Sequence, residues 1–390
     1  MKVIVSFTSY PMRIGMVHKV VESLLEQTRQ ADAVLLYLSM DEFPHGEADI
    51  PDALREKNGT RGFQIKWVEG NLKSHKKYYY ALQEYRDDVV ITVDDDTIYD
   101  RSMIEDLMKG FQCFPKAVSA RAVRMIFRQN EELETYVKWD RFPEEYKNMP
   151  RGDLCAIGVG GILYPPGTGK DSWFIRQDIV RMAEKQDDLW LKYHEIMDRV
   201  PVVYVGATGK DCSIEVLQKE NLSAENLYQR ANDGCAAKLF GRMEERDSRV
   251  CHDWFCELMS RKEYIEGKKR YFHHIFSEAL RQAEHQPVYL YGAGKRAAYV
   301  LEILSALGLT GRIAALLVTD KAGNPSEIKG VKVRELSEIG KKEKFGLIYG
   351  VDEAHRNEIE NCLKAYDYQC IVLEIRKAGR YLEEFAGKPV

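Results

Sequence analysis

Apolar and polar positions fall in blocks along this chain, and the spacing within each block sets the element it predicts. Lys2–Phe7 is a short apolar run that breaks into Thr8-Ser9-Tyr10-Pro11, the pattern of a buried strand feeding a loop. Gly15–Thr28 then carries Val17, Val20, Val21, Leu24 and Leu25 at helical spacing, so one face is predicted to pack. Ala33–Leu38 and Ile65–Val68 read as a second and third buried strand. Ser74 stands where it could cap a helix running through Tyr85, with Tyr78, Leu82 and Tyr85 on one side. Val89–Val93 reads as a fourth strand. It stops in Asp94-Asp95-Asp96, and a helix is expected from Arg101.

Strands alternating with helical patterns predict a parallel α/β sheet, in which ligands bind at the carboxyl ends of strands. Thr8–Arg13 and Asp94–Asp96 both fall there. Further on, Cys155–Leu163 reads as a glycine-rich strand ending in Tyr164-Pro165-Pro166-Gly167. Asp187-Asp188-Leu189-Trp190 opens a helix through Met197, and Val202–Val205 is another strand. From about Ser260 to Gln286 the chain turns charged and aromatic, including Lys268–Arg270 and His273-His274. It reads as a helical connector, with a solvated face or a membrane-surface contact as the alternatives. A second α/β unit then starts. Its expected strands are Pro287–Tyr291, Ile313–Val318, Gly346–Tyr349 and Cys370–Ile375, and its helix is Ala298–Leu307. The division expected is 1–260, 261–286 and 287–390.

Composition narrows the class. The 390 residues are 45% hydrophobic and 30% charged, as in ordinary globular proteins, which excludes disordered, collagen-like and disulfide-rich classes. A net charge of −4 gives no global drive toward nucleic acid or anionic membrane. The N-terminus turns polar too soon for a signal peptide, and no run approaches a transmembrane length of ~20 residues. The eight cysteines form no Cys-x-x-Cys pair, so reduced, mostly buried thiols in a cytoplasmic protein are expected. Cys251-His252 with Cys256 lacks the second ligand pair that a zinc site needs.

Three adjacent carboxylates at a strand end disfavour joint ionisation unless a cation neutralises them. In an extended segment alternate side chains point the same way, so Asp94 and Asp96 are expected to converge and Asp95 to point elsewhere. Mg²⁺ takes one or two carboxylates plus substrate phosphates, which suits an ion carrying a nucleoside diphosphate. Lys73, Lys76, Lys77 and Arg13 are the cations placed to meet that diphosphate, with a solvated helix start as the plainer reading. Asp187 and Asp188 open a helix, where the dipole favours the anion, so either is a candidate proton acceptor or a simple N-cap. Tyr78, Tyr79 and Tyr80 are read mainly as core, and Asn232-Asp233 as a loop that could edge the site.

Gly292-x-Gly294-x-x-Ala297 follows a strand and opens a helix, the context of a dinucleotide or phosphate turn. Asp320, at the end of the next strand, is placed to bond a ribose hydroxyl. One such turn in the stretch 286–390 amounts to half a dinucleotide fold, and a structural or partner-docking role competes with nucleotide binding.

Phe7-Thr8-Ser9-Tyr10-Pro11-x-Arg13, Lys77-Tyr78-Tyr79-Tyr80-Ala81-Leu82, Val93-Asp94-Asp95-Asp96, Gly160-Gly161-Ile162-Leu163-Tyr164-Pro165 and Asp187-Asp188-Leu189-Trp190 occur in that order. Together they resemble a bacterial glycosyltransferase of the GT-A fold over roughly residues 1–240. The resemblance implies that Thr8, Ser9, Tyr10 and Arg13 line a nucleotide pocket, with Lys77 approaching the diphosphate. It implies Asp94 and Asp95 on the donor side, with Asp94 toward ribose or metal, and Mg²⁺ or Mn²⁺ on Asp96 and Asp94. It also implies Asp188, or Asp187, as the base of an inverting transfer, and Gly160, Gly161 and Trp190 on the acceptor side. A histidine often completes this metal site, and His194 and His252 both stand as candidates. The implied activity moves a sugar from a nucleotide donor, expected to be UDP-linked, to a hydroxyl of a glycan or lipid-linked acceptor in surface polysaccharide synthesis. The second unit resembles small Rossmann-like domains attached to bacterial sugar-modifying enzymes and sugar acyltransferases. An NAD(P)-dependent oxidoreductase centred on Gly292–Ala297 and an inactive sugar-binding scaffold are the competing readings.

Overall fold

The computed structural model describes residues 1–130, 132–141, 143–213, 231–283, 285–351 and 355–385, with backbone alone at 212 and 213. It forms two compact units, Met1–Ser260 and Arg261–Val390. The fold is mixed α/β, with a large, mainly parallel sheet in the first unit and a separate sheet in the second.

The first sheet has eight strands. Four of them, β1 (Val3–Thr8), β2 (Ala33–Ser39), β3 (Phe63–Val68) and β4 (Val89–Thr92), are parallel neighbours in the order β4-β1-β2-β3. The sheet continues from β4 through Ile162–Tyr164 and Val118–Ala120 to Val202–Tyr204 and Pro150–Arg151. Ile162–Tyr164 and Pro150–Arg151 run against their neighbours. Parallel strands covered on both faces read as continuous apolar runs, which is why β1, β2 and β4 were visible in the sequence. The helices Val17–Leu25 and Met103–Cys113 cover one face, burying Val17, Val20, Val21 and Leu24 and, from the second, Ile104, Leu107 and Met108.

Several elements differ from the expectation. Cys155–Leu163 is not one strand. Leu154–Ala156 belongs to a small three-stranded sheet and Ile162–Tyr164 to the large one, with a glycine turn between them where Gly161 adopts φ +83°. The region after Ser74 is a 3₁₀ turn, Lys73–His75, and two short helices, Lys76–Tyr79 and Ala81–Glu84. Ser74 caps neither. The helix expected at Arg101 starts at Met103, after a two-residue strand, Thr97–Ile98. Asn232 and Asp233 lie in the first turn of the helix Ala231–Arg246, not in a loop.

In the second unit five strands run parallel. Numbered along the chain as Val288–Tyr291, Ile313–Val318, Val331–Glu335, Lys344–Tyr349 and Asp367–Cys370, they lie in the order 3-2-1-4-5. That is the strand order of the doubly wound dinucleotide fold, more of it than one glycine turn implied. The last strand ends where Cys370–Ile375 was expected to begin. The helix Arg261–Arg281 belongs to this unit and buries Tyr264, Phe272, Phe276 and Leu280 in it. Lys268 is buried too, over the rings of Tyr264 and Tyr381, so it presents no charge to a surface. Among the described residues no helix is long and apolar enough to cross a membrane.

Candidate active site

The site is built at the carboxyl ends of β1 and β4. The loop after β1 folds back onto the triplet: Ser9 Oγ donates to Asp95 Oδ2 at 2.5 Å, and the Arg13 guanidinium lies 2.8 Å from Asp95 Oδ1 and 2.8 Å from Asp96 Oδ2. Arg13 stands over the Tyr10 ring at 5.5 Å. Thr8 Oγ1 donates to the Tyr37 carbonyl at 2.8 Å and ties β1 to β2. Side-chain exposure alternates along the triplet: Asp94 29%, Asp95 8%, Asp96 33%. Asp94 and Asp96 are therefore open while Asp95 is turned inward. The Asp94 N–H donates to the buried Tyr99 Oη at 2.9 Å, which fixes the turn.

Lys77 joins the triplet to the second acidic pair. Its ammonium lies 2.7 Å from Asp94 Oδ1 and 2.9 Å from Asp187 Oδ2. Its backbone is pinned from β1, where Ser6 Oγ donates to the Lys77 carbonyl at 2.5 Å. Burial works against the ammonium, but Asp187, Asp94 and Asp188 outweigh it and hold its pKa well above the usual lysine value. The neighbouring lysines do other work: Lys76 is buried against Glu42, and Lys73 is exposed at φ +51°.

Asp187 and Asp188 are the first two residues of the helix Asp187–Met197. Burial opposes the Asp187 anion, yet the Lys77 ammonium outweighs that and lowers its pKa. His75 lies beneath, with Nε2 2.7 Å from the Ala183 carbonyl and Nδ1 2.9 Å from Tyr78 Oη. A carbonyl only accepts, so Nε2 carries the proton and Nδ1 accepts from Tyr78 in the neutral ring. Asp188 is half-buried, and its Oδ1 accepts from the Gly158 N–H at 3.3 Å. Burial and the Asp187 carboxylate beside it push the Asp188 carboxyl well above the usual range.

The glycine turn serves the site through Gly158, which sequence reading passed over. A Cβ on Gly158 would lie 2.8 Å from Asp94 Oδ1 and 2.8 Å from Lys77 Nζ. Gly160 and Gly161, expected on the acceptor side, face packed protein instead. A Cβ on Gly160 would lie 2.7 Å from the Ala122 nitrogen, and one on Gly161 would lie 3.1 Å from Met103 Sδ. Trp190 is also interior: it is buried against Tyr193 and His194, and its Nε1 donates to the Trp173 carbonyl at 2.9 Å. Neither histidine candidate meets the triplet. His194 sits among Trp173, Trp190 and Tyr193, where burial pushes its pKa down to about 3, and His252 pairs with Cys256 on a separate helix.

Arg13 and Lys77 thus supply the charge that three adjacent carboxylates require. Among the described residues no group of three or more His, Cys, Asp or Glu side chains converges as a metal cage. Lys77 meets Asp94 through Oδ1 and Arg13 meets Asp96 through Oδ2, and both carboxylates remain partly exposed. Two partly exposed carboxylates fit a divalent ion whose remaining ligands are phosphate oxygens and water. Burial and the Asp94 charge raise the Asp96 pKa against the pull of Arg13, a conflict that an arriving cation relieves.

Of seven described cysteines all are free, with Cys155 and Cys235 buried and Cys113, Cys256, Cys362 and Cys370 exposed, more exposure than expected; the Cys212 side chain lies outside the described residues. In the second unit Gly292 adopts φ +115°, and a Cβ there would lie 2.9 Å from Val351 Cγ1 and 3.1 Å from the Gly350 carbonyl. Gly294 precedes the helix Lys295–Ala306, longer at its start than expected, with open space at its Cβ position. Asp320 Oδ1 accepts from the Ala322 N–H at 2.8 Å and closes its own loop.

No family profile matches the sequence, and no curated protein matches it. Among solved structures the chain is similar to TarS 1-349 of S. aureus, at 11% identity over 73% of this chain and 85% of that one, with a TM-score of 0.34. It is similar also to a UTP-bound UGPase from Acinetobacter baumannii, at 10% identity over 65% and 96%, with a TM-score of 0.33. An apo UDP-glucose pyrophosphorylase matches at 9% identity over 63% and 99%, with a TM-score of 0.32. Likenesses this distant fix neither activity nor substrate.

Proposed function

We propose that the first unit is a glycosyltransferase that moves a sugar from a nucleoside diphosphate donor, UDP-linked, to a hydroxyl of a glycan or lipid-linked acceptor. The setting we propose is surface polysaccharide synthesis. The observation that carries the reading is Lys77, buried between Asp94 and Asp187, with Asp188 at its side. One cation thereby faces a leaving diphosphate on the triplet side and a proton acceptor on the helix side.

In this reaction the bond from the anomeric carbon to the diphosphate breaks while the acceptor oxygen bonds to that carbon. Asp188, made more basic than an ordinary carboxylate by burial and by Asp187, takes the hydroxyl proton. A single base on the acceptor face suits one displacement with inversion. Lys77 and Arg13 are placed to meet the charge that grows on the leaving group, and a preorganised cation at developing charge is usually the largest catalytic contribution. Asp94 and Asp96 would hold Mn²⁺ or Mg²⁺ together with the diphosphate, and the ion would add positive charge there. Thr8, Ser9 and Tyr10 would border the nucleotide.

The test is a thermal-shift series with uridine diphosphate, with and without Mn²⁺, followed by a transfer assay with UDP-sugars. Stabilisation only when both are present, with UDP released on transfer, supports the reading. A protein that instead joins a nucleoside triphosphate to a sugar 1-phosphate and releases pyrophosphate is a nucleotidyltransferase, and a response to NAD⁺ alone favours the oxidoreductase. Either result rejects the proposal.

A further inference from the structure

Behind the triplet lies a second charged cluster that the proposed chemistry does not use. Arg121, fully buried after the strand Val118–Ala120, meets carboxylates from three segments. Its guanidinium pairs with Asp100, lies 3.3 Å from Asp211 Oδ1, and brings Nε within 3.5 Å of Asp106 Oδ2. Asp100 ends the turn that starts at the triplet. Its N–H donates to Asp211 Oδ1 at 2.9 Å, and its Oδ1 accepts from the Ser102 N–H at 2.9 Å. The segment 206–211 lies on this cluster. The Thr208 N–H donates to Asp106 Oδ2 at 3.0 Å, and Thr208 Oγ1 meets Ser102 Oγ at 2.7 Å. Gly209 packs so closely that any side chain would strike the Asp100 carboxylate, and Cys212–Ser213 pairs with Thr97–Ile98. On its other side the Arg121 N–H donates to the Gly161 carbonyl at 3.4 Å, and Gly160 rests on the backbone of residues 121 and 122.

We propose that Arg121, Asp100 and Asp211 are positioning residues which fasten segment 206–211 to the turn carrying the aspartate triplet, and that a proton shared by the two carboxyls closes the fastening. The effect on donor binding rests on the transferase reading; the fastening itself does not. Three carboxylates against one guanidinium leave a net charge of −2 when all are ionised, and one proton halves that. Asp100 and Arg121 face Asp211 directly, Asp106 lies at the other edge of the guanidinium, and the adjacent Lys210 is exposed. Burial and the neighbouring Asp100 hold Asp211 up to about 6. Burial also opposes Asp100, but hydrogen bonds from Ser102 and Asp211 outweigh it and hold it down to about 2.

The sign follows from linkage. A free aspartate titrates near ~3.9, so the fastened state gains as pH rises from about 2 to 4, where Asp100 ionises early. It loses from about 4 to 6, where an unfastened Asp211 would already have given up its proton. The fastening is therefore tightest near pH 4 and weakens up to about a hundredfold by pH 7.

Amide hydrogen exchange of the full chain, read by mass spectrometry from pH 4.5 to 7.5 and corrected for intrinsic exchange, tests this without substrate. Protection of peptides covering 97–100 and 206–211 should fall at least tenfold across that range. Asp211→Asn keeps both the acceptor for the Asp100 N–H and a donor for the Asp100 carboxylate, so its protection should stay flat. Thr208→Val, a milder change, should lower protection of the same peptides at every pH. Flat wild-type protection, or an Asp211→Asn curve that follows wild type, overturns the proposal. In the transfer assay the donor KM should track pH in wild type and lose that dependence in Asp211→Asn. A KM that follows pH equally in both overturns the positioning role, whereas absence of any transfer with pH-dependent exchange intact counts against the transferase reading alone.

Discussion

The Lys77 ammonium meets the Asp187 carboxylate at 2.9 Å and so ties the start of the Asp187–Met197 helix to the strand end that bears the triplet. Removing Lys77 leaves Asp187 buried without its counter-ion, a loss of roughly 3–5 kcal/mol for a broken buried pair. Lys77→Met is expected to destabilise the first unit by about that much in urea unfolding and to cut kcat by roughly 10²-fold or more. Full activity in a folded Lys77→Met protein would remove the central cation from the mechanism.

The pH profile carries a second prediction. In the proposed transfer Asp188 works as its anion, and burial and Asp187 raise its pKa, so kcat/KM should rise with pH along a limb well above the ordinary carboxylate range. Asp187→Asn removes the repelling anion and leaves Lys77 freer to favour the Asp188 anion. Both changes lower the Asp188 pKa, so the limb should move toward acid. Asp188→Asn should lower kcat by roughly 10²–10⁴-fold while donor affinity, measured by calorimetry, changes little.

Gly158 packs against the Asp94–Lys77 ion pair, and its N–H donates to Asp188. Gly158→Ala places a methyl 2.8 Å from both Asp94 Oδ1 and Lys77 Nζ, so that ion pair must separate. Donor KM is expected to rise by about tenfold with little change in thermal midpoint. Gly161→Ala puts a β-carbon at φ +83° beside Met103 and should instead lower stability by about 1–3 kcal/mol.

Arg13→Ala tests the burial of Asp95. Asp95 then keeps Ser9 alone, and its already raised pKa moves further up. A carboxyl raised in the folded state stabilises at low pH and loses that contribution as pH rises through its folded value. The urea-unfolding deficit of Arg13→Ala against wild type should therefore be about 3 kcal/mol at pH 7.5 and smaller at pH 4.5.

Much of this site stood in plain view along the chain. Asp94–Asp96 and Asp187-Asp188 are runs of charge at the edges of apolar blocks, and Arg13 and Lys77 were among the cations placed against them. Only the resemblance set Lys77 apart from Lys73 and Lys76; the residue pattern alone did not, because the local chain there is a 3₁₀ turn and two short helices whose phase no periodicity announces. Gly158 was masked by its glycine neighbours: three glycines within four positions look alike until the fold shows which one faces the carboxylates. Asp100, Asp106 and Asp211 carry no motif and are gathered around Arg121 by contacts of long sequence separation. The strands Val118–Ala120 and Val331–Glu335 escaped notice because one is only three residues long and the other alternates buried and exposed positions.

The hydroxyl of Ser6 gives β1 a duty beyond holding its place in the sheet. It grips the carbonyl of Lys77 from the register position opposite Thr92. Successive side chains of a strand point to opposite faces, so threading β1 one residue out of step would aim this hydroxyl away from the lysine. A mis-registered molecule would keep every acidic residue but lose this hold on Lys77. Correct strand alignment during folding is thus itself a condition for assembling the charge pattern.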